Sequence, residues 1–264
     1  MIILKNISKY FNKGSVNQVL ALNNINLQIK KGDFITVIGS NGAGKSTLLN
    51  CLAGSFLPSH GQILFNQQDI TNWPEYKRAK FVGRVFQDPL LGTCASMSIE
   101  QNMALALRRG KTRTLALGVT SKDRVIFKEL LAKLGLSLEN RLADKVGLLS
   151  GGQRQALTML MATMVRPEIL LLDEHTAALD PKTAQHILRL TEEIVNEQHL
   201  TTLMVTHNMH QAIQLGNRLI MLHRGEVIFD IHGEEKYKLT VQELLSRFYE
   251  LRGEEFSSDK MLLI

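Results

Sequence analysis

"GSNGAGKST", residues Gly39 to Thr47, separates the β-branched run DFITVI from the apolar helical pattern LLNCLAG, so it is predicted to join a strand to a helix. The stretch fits G-x-x-x-x-G-K-[ST], in which glycines let successive backbone N–H groups curl around phosphate oxygens. The N-terminus of the following helix adds the positive end of its dipole. We therefore predict a phosphate-binding loop formed by Gly39, Ser40, Asn41, Gly42, Ala43, Gly44, Lys45, Ser46 and Thr47.

Two side chains of this loop and two acidic residues further on have defined roles in nucleotide chemistry. Lys45 would reach the β- and γ-phosphates, and the Ser46 hydroxyl would bind Mg²⁺. The apolar strand pattern EILLLDE ends in Asp173 and Glu174, at the strand edge where open α/β sheets bind ligands. There Asp173 would hold Mg²⁺, directly or through water, and Glu174 would polarise an attacking water. The motifs indicate an enzyme that hydrolyses a nucleoside triphosphate.

The composition limits the location and the partners. The chain has 264 residues, a formal net charge of +6 and two cysteines, which fit a reducing compartment. Its basic residues are dispersed, so we expect a solvated surface and no nucleic-acid partner. The densest basic run, Leu107 to Arg113, would either face phospholipid head groups or form a solvated loop. The longest apolar segments fall short of the roughly 20 residues that span a bilayer, so we expect a cytoplasmic protein that reaches a membrane only through a partner.

Hydrophobic patterning predicts an α/β protein with a mainly parallel sheet. Short β-branched strands occupy the first third of the chain, including one strand over Gly61 to Ile70. From about Pro89 to Gly147 the pattern becomes helical, which indicates a helical subdomain inserted into an α/β core. Apolar strands and helices then alternate, as in parallel sheets. An amphipathic helix over Thr240 to Arg252 leads into a polar tail.

The stretch LLSGGQRQ, Leu148 to Gln155, narrows the nucleotide hydrolase to one family. Here the chain resembles the ATP-binding-cassette (ABC) family, whose L-S-G-G-Q signature is matched letter for letter by Leu149 to Gln153. In that family two copies pack head to tail, and each signature closes over the γ-phosphate held by the other copy's phosphate loop. A hydroxyl and backbone amides at a helix start suit such an anion. The resemblance implies that ATP is bound by Ser150, Gly151, Gly152 and Gln153.

Other positions match the family's motifs in order along the chain. Gln87 in VFQDP matches the glutamine that links the nucleotide to the helical subdomain, and His207 in MVTH matches the histidine that contacts the γ-phosphate. Phe11 matches the ring that stacks on adenine, although Tyr10 is adjacent and core packing of either ring is the alternative. The resemblance implies catalytic roles for Lys45, Gln87, Glu174 and His207, and a Mg²⁺ site made by Ser46, Gln87 and Asp173.

The resemblance also implies a fold and an assembly. We expect a P-loop NTPase with a RecA-like core, an N-terminal antiparallel β subdomain and an inserted helical signature subdomain. The cassette would cover residues 1–233, with the helical subdomain at about 89–155, and residues 234–264 would form a C-terminal helix and tail. The expected partners are an integral-membrane permease, a second copy of the chain in the presence of ATP and, indirectly, an extracytoplasmic substrate-binding protein. The chain would then lie peripherally at the cytoplasmic face of the inner or plasma membrane.

Departures from the usual motifs indicate a branch of the family. His175 stands where the family usually has proline, and methionines enrich the helix after the signature. With these features, the chain resembles a branch of importer ATPases, which in some members serve aromatic amino acids such as tryptophan or tyrosine. The resemblance lies in the stretches RVFQDPLLGTCASMSIEQNMALA and DEHTAALDPKTA. An exporter or lipoprotein-release ATPase is one alternative. A soluble, non-transport ABC ATPase is another, which the single cassette and the 62 positions between Gln87 and Leu149 disfavour.

Overall fold

The computed structural model describes residues 1–111 and 118–252, which form two compact units. The first unit contains Met1–Arg78 and the described residues from Thr201 on, and the second contains Ala79–Leu200. In chain order the elements are β1 (Ile2–Phe11), β2 (Val19–Ile29), β3 (Phe34–Ile38), α1 (Lys45–Ala53), β4 (His60–Phe65), β5 (Gln68–Asp69), α2 (Glu75–Arg78), β6 (Val82–Val85), α3 (Ile99–Leu107), α4 (Ser121–Ala132), α5 (Gly151–Thr163), β7 (Ile169–Asp173), α6 (Pro181–Gln198), β8 (Thr202–Val205), α7 (Met209–Gln214), β9 (Arg218–His223), β10 (Glu226–His232), α8 (Glu234–Lys238) and α9 (Val241–Arg252).

The first unit begins with an antiparallel sheet of order β2-β1-β4-β5. The predicted N-terminal antiparallel subdomain is therefore confirmed. The single strand predicted over Gly61 to Ile70 is wrong, because β4 and β5 form a hairpin there. Its two turn residues, Asn66 and Gln67, have φ values of 46° and 69°. A two-residue hairpin turn with positive φ at both positions matches the twist of the flanking strands.

The remaining strands of the first unit lie side by side in the order β10-β9-β3-β8 and are mainly parallel. Strand β3 is parallel to both β8 and β9, and all five of its residues are buried. Burial on both faces explains why this strand does not alternate between apolar and polar residues and has Thr36 as its one polar side chain. Strands β9 and β10 are antiparallel around a turn at Arg224 and Gly225, which both have positive φ. The connections after β3 and β8 lead into α1 and α7, respectively.

The second unit combines a parallel strand pair with a helical core. Strands β6 and β7 pair in parallel, and α3 and α4 confirm the predicted helical segments. Helices α3, α4 and α5 each begin at a capping box, in which the N-cap hydroxyl and the third side chain satisfy each other's backbone N–H. Their apolar faces share a buried cluster that includes Met103, Phe127, Leu131, Leu157 and Leu190.

The basic run at Leu107 to Arg113 lies partly outside the described residues, which stop at Lys111. Within it, Arg109 points at protein rather than at lipid or solvent. Its guanidinium donates to the carbonyls of Ala162 and Val165 at the C-terminal end of α5. Among the described residues, none of the helices is both long enough and apolar enough to cross a bilayer.

The described chain beyond Gly233 belongs to the core of the first unit. The amphipathic helix predicted near the C-terminus is confirmed as α9. Leu239, Leu244 and Phe248 are buried in one cluster with Met209 and Ala212 of α7. The predicted polar tail from residue 253 on lies outside the described residues.

A buried arginine links α1 to the antiparallel sheet. Arg78 is 0% exposed, and its guanidinium donates to five backbone carbonyls. Two of the acceptors, Cys51 and Leu52, lie in the last turn of α1, where carbonyls have no partner within the helix. A cation at this end of a helix also interacts favourably with the helix dipole. The acceptors are Cys51, Leu52, Ile70, Thr71 and Trp73.

Replacing Arg78 with methionine should destabilise the protein. Because the five carbonyls would stay buried without their donor, we expect Arg78→Met to lower the free energy of unfolding by about 2–4 kcal/mol. Urea denaturation measures the change. Lys77→Met is the matched control, since Lys77 is exposed on the same short helix. Equal unfolding midpoints for the two variants would contradict this role for Arg78.

Candidate active site

The loop from Gly39 to Thr47 has the backbone geometry of a phosphate cradle. It leaves β3 and enters α1, and Gly44 precedes the helix with φ of 101°. A Cβ on Gly39 would lie 2.2 Å from the carbonyl oxygen of Leu222, and one on Gly44 would lie 2.4 Å from that of Ala21. Other residues would therefore push the loop away from its neighbours. The absence of side chains at these positions lets backbone N–H groups face a bound anion.

Lys45 lies folded along this loop. The lysine is 6% exposed, and its ammonium donates to the carbonyl oxygens of Gly39 at 2.7 Å and Ser40 at 3.1 Å. The charge thus stays inside the loop, close to the backbone that would surround a phosphate. Ser46, the next residue, is exposed at the helix start. Its hydroxyl is of the type that binds Mg²⁺ in such loops.

The first unit also brings His207 to this edge of the sheet. Strands β3 and β8 run in parallel with Val37 opposite Val205, and Thr206 donates its N–H to the carbonyl of Val37 at 3.2 Å. Neighbouring parallel strands end at the same edge, so the phosphate loop and His207 leave the sheet side by side. His207 is exposed there.

Phe11 has an aromatic neighbour in the structure. Its ring packs edge-to-face on Phe56 at a centroid distance of 5.3 Å, with the Lys9 ammonium 5.3 Å from the Phe11 centroid. Tyr10 instead packs on His60. Phe11 is only partly buried, so its ring combines packing with accessible surface.

In the second unit, Gln87 and the acidic pair are brought together by the same strand geometry. Strands β6 and β7 are parallel, with Val85 opposite Leu172. The residues that follow, Gln87 on one side and Asp173 and Glu174 on the other, therefore lie at one edge.

The structure adds Arg84 to this group, which the sequence reasoning missed. Its guanidinium carbon lies 4.3 Å from the centroid of the Phe86 ring, and a guanidinium nitrogen lies 3.9 Å from a carboxylate oxygen of Asp173. The only sequence signal was a charged residue within the apolar strand VGRV.

Glu174 has a strained backbone. Its φ is 46°, in the left-handed region that is unfavourable for most residues and that recurs at functional sites. The next residue, His175, is 3% exposed and bonds through Nε2 to the Thr191 hydroxyl at 3.0 Å. Burial lowers the pKa of His175 to about 4, so the ring is neutral at physiological pH. His175 thus supports the acidic loop as a packed, uncharged side chain.

The signature residues form the start of α5. Ser150 is the N-cap, and its hydroxyl oxygen accepts the N–H of Gln153 at 3.3 Å. The hydroxyl proton remains available as a donor to an anion. Gly152 is closely packed, since a Cβ there would lie 2.2 Å from the Thr183 methyl carbon. These residues line an open pocket of about 480 Å³ within the second unit.

A buried glutamine ties this helix to the loop that carries Gln87. Gln155 is 1% exposed, and its Nε2 donates to the carbonyl of Phe86 at 3.2 Å. Phe86 immediately precedes Gln87. The signature helix and the glutamine loop are therefore joined by one buried hydrogen bond.

The predicted Mg²⁺ ligands have suitable chemistry. Ser46, Gln87 and Asp173 offer a hydroxyl, an amide oxygen and a carboxylate, and Mg²⁺ prefers such oxygen donors, with phosphates and water completing its shell. The described residues contain no group of three or more His, Cys, Asp or Glu side chains that could hold a metal ion by themselves.

Comparison with known proteins identifies strong similarities. The family model described as ABC transporter matches residues 22–177. A tyrosine transport ATP-binding protein of Clostridioides difficile is 48% identical over 248 residues, which cover 94% of this chain and 98% of that protein. A methionine import ATP-binding protein of Enterococcus faecalis is 32% identical, covering 100% of this chain and 74% of that protein.

Solved structures of ATP-binding cassettes share the fold. A dimeric cassette in a post-hydrolysis state, bound to ADP and Pi, superimposes with a TM-score of 0.75 at 30% identity, covering 88% of this chain and 98% of that chain. The ADP conformation of a cassette of an ABC transporter gives a TM-score of 0.76 at 26% identity, covering 94% and 98%. The predicted P-loop NTPase fold with its RecA-like core is confirmed.

The buried His175 should make stability depend on pH. The unfolded chain binds a proton near the ordinary pKa of 6.5, whereas the folded chain resists protonation down to about 4. Stability should therefore be full above pH 6.5 and fall as the pH drops towards 4, by about 2 kcal/mol between pH 7 and pH 5 from this group. In His175→Gln this pH dependence of the free energy of unfolding should disappear, which urea denaturation at several pH values measures. His210→Gln, at an exposed position, should keep it; equal slopes in all three proteins would contradict the assignment.

Proposed function

The chain belongs to the ABC transporter family as an ATP-hydrolysing, nucleotide-binding subunit, and we propose that it powers the import of an amino acid, with tyrosine or another aromatic amino acid as the cargo. The observation that carries this proposal is the 48% identity to a tyrosine transport ATP-binding protein over nearly the full length of both chains. The methionine relative is an import protein by name. We further propose that residues 1–233 form the cassette, with a helical subdomain at about 89–155, and that residues 234–264 form its C-terminal extension.

We propose that each ATP is bound between the phosphate loop of one copy of the chain and the signature residues of another. Gly39 to Thr47 would surround the phosphates, and Phe11 would stack on the adenine. A second copy of the chain would complete each site with Ser150, Gly151, Gly152 and Gln153 over the γ-phosphate. The fixed N-cap geometry of α5 supports this role, because Ser150 and the first amides of the helix are already oriented for an anion.

Each catalytic side chain then has one task in the in-line attack of water on the γ-phosphorus. Glu174 orients the water and accepts its proton, while Lys45 and His207 stabilise the negative charge that develops on the γ-phosphoryl oxygens. Gln87 would contact the metal and the γ-phosphate and so link the bound nucleotide to the helical subdomain. Mg²⁺, held by Ser46, Gln87 and Asp173, would neutralise charge on the β- and γ-phosphates. The positive charge of Arg84 beside Asp173 would orient that carboxylate.

The proposed partner in the membrane is a separate permease, supplied by an extracytoplasmic substrate-binding protein. The subunit would then work peripherally at the cytoplasmic face of the membrane. Two exposed apolar side chains, Leu90 and Leu91, follow the Gln87 loop and are 46% and 70% exposed. We propose that residues 89–102 bind a cytoplasmic helix of the permease. Exposed apolar side chains next to Gln87 suit a protein–protein contact that responds to nucleotide binding.

Removing the proposed general base should stop hydrolysis without stopping binding. We expect Glu174→Gln to lower ATP turnover by roughly 10²–10⁴-fold, because the amide cannot accept the proton of the attacking water. ATP affinity should change little. Glu168→Gln is the control, since Glu168 is exposed at the opposite end of β7. Turnover of Glu174→Gln close to that of the control would mean that another group is the base.

Transport itself tests the cargo and the direction. We expect mild-detergent purification from native membranes to recover a multi-span permease. Proteoliposomes of that complex that enclose ATP, so that only complexes with the subunit facing the lumen are active, should accumulate labelled tyrosine. Leu91→Asp should weaken permease recovery and uptake but leave the basal ATPase rate unchanged, since Leu91 lies outside the nucleotide-binding residues. ATP-driven loss of tyrosine from the vesicles, or recovery with ribosomes or DNA-binding proteins and no permease, would contradict the import proposal.

A further inference from the structure

Lys236, on α8, is a buried cation outside every motif found in the sequence. The residue is 0% exposed, and its ammonium donates to the carbonyl oxygens of Leu215 and, at 2.8 Å, Gly216. Burial lowers its pKa to about 8. Burying an ammonium is costly unless it is well hydrogen-bonded. The hydrogen bonds to the two carbonyls offset this cost and hold both carbonyls in place.

The two acceptors lie at the end of α7. Gln214 is the last residue of this helix, and the N–H of Leu215 still donates to the carbonyl of Gln211 at 2.9 Å. The carbonyls at a helix C-terminus lack partners within the helix and carry the negative end of its dipole. Lys236 thus both satisfies this end of α7 and complements its charge.

The other end of α7 carries His207. Asn208 caps the helix by accepting the N–H of Gln211 at 3.0 Å, and its own N–H donates to the Thr206 hydroxyl at 3.1 Å. That hydroxyl donates in turn to the side-chain oxygen of Gln211 at 3.0 Å. His207 therefore lies in a turn that is fastened to the helix on both sides. These hydrogen bonds couple the position of the turn to that of α7.

The C-terminal segment also packs along the length of α7. Met209 and Ala212 face a buried cluster to which α9 contributes Leu244 and Phe248. On the other side, the Thr36 hydroxyl of β3 donates to the carbonyl of Ala212 at 2.7 Å. The helix is short, at six residues, so its position depends on these outside contacts rather than on its own hydrogen bonds.

We propose that residues 234–248 act as a positioning segment for catalysis, in which Lys236 fixes the C-terminal end of α7 and thereby holds His207 in register with the phosphate loop. The inference rests on the proposed contact of His207 with the γ-phosphate. It assigns a function to the part of the chain beyond the cassette motifs. Lys236 touches no nucleotide in this scheme and acts only through α7.

A substitution at Lys236 should separate the chemical step from nucleotide binding. We expect Lys236→Met to lower kcat by about 10- to 100-fold, the size expected when a reacting group is displaced by about 1 Å. The KM for ATP and the affinity for ADP, which has no γ-phosphate, should stay within about twofold. Turnover is counted per ADP-binding site, so that loss of folded protein does not register. Lys238→Met is the control, because the Lys238 side chain is 77% exposed on the same helix.

Two further variants keep the inference falsifiable. If Lys236 acts through His207, Lys236→Met should cause no further loss of kcat in a His207→Ala background. Leu244→Ala, which loosens the same contact by packing alone, should show the same selective loss of kcat. Parallel losses of kcat and ADP affinity, independent effects of Lys236→Met and His207→Ala, or wild-type kcat in Lys236→Met would each overturn the inference. Wild-type kcat in His207→Ala alone would instead overturn the proposed role of His207.

Discussion

Neighbouring parallel strands end at the same edge of a sheet, and the candidate site depends on that constraint in both units. In the first unit it puts the Gly39 loop beside His207, and in the second it puts Gln87 beside Asp173 and Glu174. The phosphate loop packs so closely against neighbouring backbone that Gly39 and Gly44 cannot carry a Cβ, which would collide with the carbonyl oxygens of Leu222 and Ala21. With strands that ended at different edges, the same side chains would be too far apart for shared chemistry.

Cations at helix C-termini, two of them fully buried and one partly buried, also organise the structure. Three helices begin at proposed nucleotide-contacting residues: α1 after the phosphate loop, α5 at the signature and α7 after His207. Their last carbonyls accept hydrogen bonds from Arg78, Arg109 and Lys236, respectively. Each cation satisfies carbonyls that the helix cannot and complements its dipole. In the proposed mechanism, the nucleotide-contacting ends of these helices are thus held from their opposite ends by residues that take no part in the chemistry.

The sequence predicted the parts of the fold that follow from local patterns. The phosphate loop, the alternation of apolar strands with helices and the signature at the start of α5 all depend on residues near each other in the chain. The hairpin at Asn66 and Gln67 was missed because alternation continues through a turn that needs only two residues with positive φ. Arg84 and Lys236 were missed because their roles depend on partners far away in the chain. Arg84 leaves a sequence signal, as a charged residue in the apolar pattern VGRV, whereas Lys236 lies among the charged residues of GEEKYK and leaves none.

The central claim is that each ATP is hydrolysed by residues from two copies of the chain. It is tested most directly by mixing two inactive variants, Lys45→Ala and Ser150→Arg, and measuring ATP hydrolysis. In a head-to-tail mixed dimer, one site has both defects and the other has none, so the account predicts that mixing restores activity that neither variant has alone. If the mixture stays as inactive as its components while both variants fold and pair, each site is complete within one chain and the account is wrong.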